Sequence, residues 1–264
     1  MTGTGTQADP FIVDNWADFV TAIGTSSAYV EFAEDTVIDM DDDYSTGISS
    51  TININCTQID GKGSIIKNLY LTGGAYFYFQ SSFTLKNINL LDMRREYNSG
   101  FTFSFYTSGT FLNCAISGSF CGGAMFRADD SNSYLSCCSV TAQLQAGCKF
   151  AENGYYNDSR CLHISNSNVK IEGNPALSDR SLVLNNTMLC GKLPTRYFYR
   201  IDSSIIDCDV PDNTAVTASY SKGYINSDLF GTGVTVDSHF TALTDAQIHD
   251  AGYLFSIGFP IGVD

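Results

Sequence analysis

A short block of the form apolar-x-Asn/Ser-x-apolar returns through the middle of this chain, and its interval constrains the fold more than any other feature. It reads SIIKNLYL around Asn68, FTLKNINL around Asn87, GTFLNCAI around Asn113, SYLSCCSV around Ser136, CLHISNSNV around Asn166, SLVLNNTML around Asn185 and YRIDSSII around Ser203. Successive centres lie 19, 26, 23, 30, 19 and 18 residues apart. A period of that size, built from short β-type runs, is the signature of a solenoid. A coil of three short parallel strands and three turns takes roughly 20 to 25 residues. Equivalent positions then stack about 4.8 Å apart, so apolar side chains fill one core and Asn or Ser groups can bond along a ladder. Unequal intervals mean loops of unequal length. The widest, between Ser136 and Asn166, holds AENGYYNDSR, whose Gly, Asn, Asp and Ser residues suit an exposed excursion.

Composition fits one elongated, aromatic-rich β domain. The chain has 264 residues, 44% hydrophobic and 16% charged, with 18 Phe and 15 Tyr. No run is long enough for a membrane helix, and the opening MTGTGTQADPFIV lacks the basic and apolar regions of a signal peptide. The expected setting is therefore a cytoplasm, at least until assembly or lysis. Nine cysteines, an odd number without a C-x-x-C pair, argue against a disulfide framework or a zinc site and predict small core-filling thiols. Cys137 and Cys138 are adjacent and are expected on opposite sides of a strand.

The net charge of −14 is unevenly spread. Residues 1–61 carry eleven acidic and no basic residues, residues 62–222 twelve acidic and fourteen basic, and residues 223–264 five acidic and none basic. Both ends are acidic around a nearly neutral body. Without a basic stripe, nucleic acid is not an expected partner. Acidic ends serve solubility and repel end-to-end stacking, or dock on a basic partner surface.

The ends also predict caps, dividing the chain into an N-terminal segment with a capping helix (1–35), a parallel coil (36–225) and a C-terminal cap with an apolar tail (226–264). In NWADFVTAIG, Trp16, Phe19, Val20 and Ile23 share one helical face, with Asn15 as N-cap and Gly24 as stop. Thr244 to Gln247 fits a capping box with Leu243 and Ile248 as its staple, opening a second helix over about 244–254. The tail LFSIGFPIGVD then covers the last rung, or packs on another subunit through Phe255, Ile257, Phe259 and Ile261.

The opening GTGTQADPFIVDNWADFVTAI followed by VEFAEDTVIDMDD, the runs IDGKGSIIKNLYL and FTLKNINLLDM, and the ending LTDAQIHDAGYLFSIGFPIGVD together carry a family resemblance. The chain resembles the right-handed parallel β-helix group that includes pectate-lyase-like proteins and many phage tail or capsid-attached proteins. The resemblance covers nearly the whole chain. It implies a single-stranded right-handed parallel β-helix, all-β, with short capping helices at both ends, and says little about activity because one fold carries many.

Enzymes of this group act on polysaccharides, which requires paired carboxylates or a calcium-bound acidic cluster. Asp207 and Asp209 stand at i and i+2 on an expected strand and so share a face; the ordinary reading is an outward strand edge. Asp129 and Asp130 follow Arg127 and read more simply as a turn. His163 alternates with Leu162 and Ile164 and faces away from them, and Asp39 with Asp41, Asp42 and Asp43 reads as a solvated turn in place of a calcium loop. The recognition motifs of polygalacturonases and pectate lyases are absent. No metal or cofactor is therefore expected.

Aromatic strands offer another surface. In GGAYFYFQ, alternation puts Phe77 and Phe79 on one face and Tyr76 and Tyr78 on the other, with the tyrosines outside; Tyr106 ends a similar strand. These three tyrosines are the expected sugar- or subunit-binding residues. The combined expectation is a structural virion protein of a bacteriophage, decorating the capsid or attached to the tail. It would dock on other particle proteins, assemble as a homo-oligomer such as a trimer, and contact host surface glycans. The rival is a glycan-binding or glycan-degrading tailspike-like domain.

Overall fold

The computed structural model describes residues 1–43, 46–96, 100–128, 132–153, 161–177, 182–257 and 259. The chain winds as a parallel β-helix. Sheet A runs through eleven strands from Phe11–Val13 to Thr235–Val236. Sheet B runs from Val37–Asp39 to Phe240–Leu243, and sheet C has five strands, from Ile52–Ile54 to Lys149–Asn153. Each turn of chain passes from A to B to C and back to A. Every ladder between named strands is parallel, and the pairing continues to Phe240–Leu243.

The three-strand rung holds only for the first part of the coil. Among the described residues sheet C has no strand after Lys149–Asn153; the later named strands of the coil belong to A and B, and the third side is joined by single contacts such as the parallel Val210–Phe230 bridge. The interval between equivalent corners accordingly falls from 29 residues (137 to 166) to 17 (186 to 203). Among the described residues, unequal loops are thus one cause of the irregular repeat, and the absence of a sheet C strand from the later rungs is the other.

The repeated block is the A–B corner. A strand of sheet A ends, two residues turn, and a strand of sheet B begins. The first corner residue is left-handed in every case: Asn87, Asn113, Cys137, Asn166, Asn186 and Ser203 have φ between 43° and 54°. Asparagine tolerates this region better than most residues, which explains its recurrence. The second corner residue points inward and is buried: Ile88, Cys114, Cys138, Ser167, Thr187 and Ser204. Two block centres therefore shift by one, from Ser136 to Cys137 and from Asn185 to Asn186. The block at Asn68 is not a corner. It lies inside sheet B, between Ile65–Lys67 and Tyr70–Leu71, both of which pair with Asn89–Arg95.

Inside the coil, sheet C contributes columns of phenylalanine. Phe77, Phe103 and Phe126 stack at 5.5 and 5.3 Å, Phe79 and Phe105 at 4.6 Å, and Phe111 of sheet A meets Phe103 and Phe105 edge-on. Gly109 is required beside them, because a Cβ there would lie 2.3 Å from the Phe105 ring. Cysteines fill smaller spaces: seven of the nine are buried, and burial pushes the Cys56 and Cys148 thiols up to about 12.

The N-terminal helix α1 (Trp16–Gly24) has the predicted Asn15 cap, which accepts from the Asp18 amide at 2.9 Å. It buries Trp16, Phe19 and Ile23 against the first rungs, with Phe19 and Phe32 centroids 5.3 Å apart, while Val20 is largely outside. A single turn, α2 (Met40–Asp43), follows the first strand of sheet B. The predicted C-terminal helix is two helices, α3 (Asp245–Ile248) and α4 (Ala251–Ser256), because Asp250 caps a second start. The Thr244–Gln247 capping box is present. This hairpin lies along the outer face of sheet B, where Ile248 buries with Ile205 and Leu243 and the chain beyond packs against Tyr224.

Candidate functional site

Two exterior regions gather polar groups: the A–B corner, and the seat of the C-terminal hairpin. At the corner, stacked asparagines bond from rung to rung. Asn113 donates to Asn87 at 2.9 Å, Asn87 donates to Asp60 at 3.0 Å, and Asn186 donates to Asn166 at 2.8 Å. Every bond has the same polarity, the upper amide donating downward. Asp60 terminates the ladder beside Lys86 at 3.0 Å. Burial pushes its carboxyl up, but the Asn87 and Lys86 contacts outweigh this and hold it below the usual carboxylate range.

The ladder breaks at Cys137, the exposed cysteine among the nine. The cleft along this corner measures about 630 Å³, within the size range of small-ligand grooves, and is lined by Asn113, Cys137, Asn166 and Asn186 among others. The corner's second residues form an inner ladder. Cys138 Sγ donates to the Phe111 carbonyl of the rung below at 3.4 Å, as Thr187 Oγ1 does to Ile164 at 3.1 Å. Thiols and hydroxyls thus play one structural part.

Under the hairpin, Asp207 and Asp209 both face outward from Ile205–Asp209, as their spacing predicts, but they have separate partners. Asp207 accepts from Asn226 at 2.7 Å and lies 3.6 Å from His249 Nε2, its side chain only 13% exposed. Asp209 pairs with Lys192 at 2.5 Å in a solvated ion pair. Asn226, fully buried, also donates to Asp245 at 3.1 Å, and the Asp245 amide donates to Asp228 at 2.8 Å. The group holds the hairpin down. Sequence spacing found the carboxylates, and nothing in it joined them to Asn226 or His249.

The remaining candidates are dispersed. Asp129, Asp130 and Ile261 lie outside the described residues. His163 faces outward as predicted but is half-buried, stacked on Tyr134 at 4.9 Å, and burial lowers its pKa. Asp39 is taken by Lys67 at 2.6 Å and Asn68 at 2.8 Å, and Asp41 is exposed; the side chains of Asp42 and Asp43 are outside the description. Tyr76 and Tyr78 lie outside sheet C with centroids 5.8 Å apart, backed by buried Phe77 and Phe79, and Tyr106 is half-exposed. Phe255 is 74% exposed, whereas Ile257 and Phe259 pack on their own chain.

Among the described residues no group of His, Cys, Asp or Glu is placed to hold a metal ion, and no helix is long and apolar enough to cross a membrane. Neither a scan against protein-family models nor a search of curated proteins finds a match for this chain.

Proposed function

We propose that this chain is a structural protein of a virus particle, most simply a bacteriophage: a β-helical rod that decorates the capsid or attaches to the tail and docks on other particle proteins. The observation that carries this reading is the coil itself. Its parallel ladders run from Phe11 to Leu243 with hydrogen-bonded corners, so backbone groups are satisfied along the rod and local opening is opposed. The most noticeable carboxylate pair is engaged in fold-holding contacts, Asp207 under the hairpin and Asp209 with Lys192. The family resemblance of the sequence supplies the virion setting.

A glycan-contacting role is the second reading, favoured by Tyr76 and Tyr78 standing outside sheet C. Mass spectrometry of gradient-purified particles tests the first. Stoichiometric copies of the chain are expected, and its absence from particles would overturn the proposal. Glycan-array binding by wild type but not by Tyr76→Ala/Tyr78→Ala would instead favour the second.

A further inference from the structure

Sheet C begins with Ile52–Ile54, which pairs on one side only, with Phe77–Phe79. In a parallel ladder successive residues of a strand turn their backbone groups to opposite sides. Ile52 and Ile54 serve the ladder: the Ile52 amide donates to the Tyr76 carbonyl at 2.9 Å, and the Ile54 carbonyl accepts from Gln80 at 3.2 Å. The backbone N–H and C=O groups of Thr51 and Asn53 face the other way, and among the described residues they have no partner. At the corresponding edge of sheet A the chain closes itself, because Thr2 adds antiparallel and exchanges two bonds with Ile12, at 3.2 and 2.9 Å. On sheet C, α1 closes only the end of the edge, where the Ile23 carbonyl accepts from the Asn55 and Cys56 amides at 2.8 and 3.1 Å.

The open stretch runs along a cleft of about 440 Å³ whose apolar wall is Trp16, Val20 and Ile48. Val20 is 39% exposed, and a Cβ on Gly24 would meet nothing within 4 Å, so the helix leaves room beside the strand. Charge selects the occupant. Residues 1–61 carry eleven acidic and no basic residues. The N-terminal ammonium, Lys62, Lys67 and Lys86 meet Asp18, Glu31, Asp39 and Asp60, whereas among the described residues Asp9, Asp14, Glu34 and Asp35 have no ion pair. A second copy of this chain, at net charge −14, is not complementary to such an end.

We propose that the open edge of Ile52–Ile54 is a docking site for an extended, lysine- or arginine-bearing segment of a partner protein, which adds to sheet C as a further strand. Main-chain bonds to Thr51 and Asn53 fix the register of the segment. Its inward side chains pack against Trp16, Val20 and Ile48, and its cations meet the acidic end of the coil. Water bonds the open groups in the free chain, so the net gain comes from covering the apolar wall and from charge, with the backbone bonds exchanged. This inference is independent of the virion reading, since such a segment can belong to a partner inside or outside a particle.

The test uses the whole purified chain and short acetylated, amidated peptides that alternate lysine with valine or glutamate with valine. Trp16 is the single tryptophan and lines the cleft, so its emission reports occupancy. The lysine peptide is expected to shift the emission saturably, with an affinity that falls as salt is raised. The glutamate peptide is expected to bind at least tenfold more weakly. A lysine peptide N-methylated at every residue keeps its charge and side chains but cannot donate main-chain bonds, and its affinity is expected to fall about tenfold, the scale of one or two lost hydrogen bonds. Asn53→Pro removes an open N–H while sparing the amides that pair with Phe77–Phe79, a change that edge strands tolerate, and is expected to weaken the lysine peptide to a similar extent with an unchanged circular dichroism spectrum. The proposal is overturned if the lysine peptide leaves the emission unmoved up to about 1 mM, if the glutamate peptide binds as tightly, or if the N-methylated peptide matches its parent. These three results are read on the wild-type chain and decide the matter even where Asn53→Pro does not fold; a folded Asn53→Pro that binds like wild type also overturns it.

Discussion

Asn226 donates to Asp207 at 2.7 Å and to Asp245 at 3.1 Å, so a single buried amide joins the body of the coil to the first turn of α3. Replacing it with Ala leaves two carboxylates without their shared donor, at a cost of about 2 kcal/mol. Hydrogen exchange should rise in residues 244–257 while the ladders of sheets A and B keep their protection. Loss of protection throughout the coil would contradict this division.

Gly109 is the second test. A methyl group there meets the Phe105 ring, which is held between Phe79 and Phe111. Gly109→Ala is expected to destabilise by about 1 to 3 kcal/mol through overpacking, and Phe105→Ala by about 3 to 5 kcal/mol through the cavity it leaves. Thermal denaturation of the two variants checks both values.

The acid limb of stability should contain a contribution from Asp60. Its carboxyl is depressed in the folded chain, so its stabilising effect is present above the unfolded carboxylate value of about 3.9 and is lost as pH falls through the lower folded value. Asp60→Asn should cost about 2 kcal/mol at neutral pH and bring the variant's stability closer to wild type in strong acid. Denaturant titrations across that pH range measure the difference.

Cys137→Asn should lengthen the ladder. The left-handed corner suits Asn, and the new amide can accept from Asn166 and donate to Asn113, for a gain of about 1 kcal/mol. A lower melting temperature would show that the ladder does not extend through this rung. The same variant should remove the fastest thiol in native-state alkylation, since Cys56, Cys114, Cys121, Cys138, Cys148, Cys161 and Cys208 are buried.

The coil was readable in the sequence because each rung repeats one demand: a left-handed residue followed by a small or apolar residue that enters the core. The exact corner was less readable where polar letters adjoin, as in Ser136–Cys137 and Asn185–Asn186, because either could be the turning residue. The end of sheet C was hidden for another reason. A missing strand and a short loop shorten the interval alike. Asp207 and Asp209 were legible as neighbours on one face from period-two alternation. Their different partners depend on how the hairpin folds back, a tertiary event with no local pattern.

The termination of sheet C at Asn153 makes the rod unequal along its length. The half containing the stacked phenylalanines is closed on its third side by a ladder, whereas beyond it that side is held by single contacts such as the Val210–Phe230 bridge. Fewer ladder bonds on one side mean less resistance to local opening there. Under a lateral load the later rungs are expected to yield first while the earlier ones stay wound.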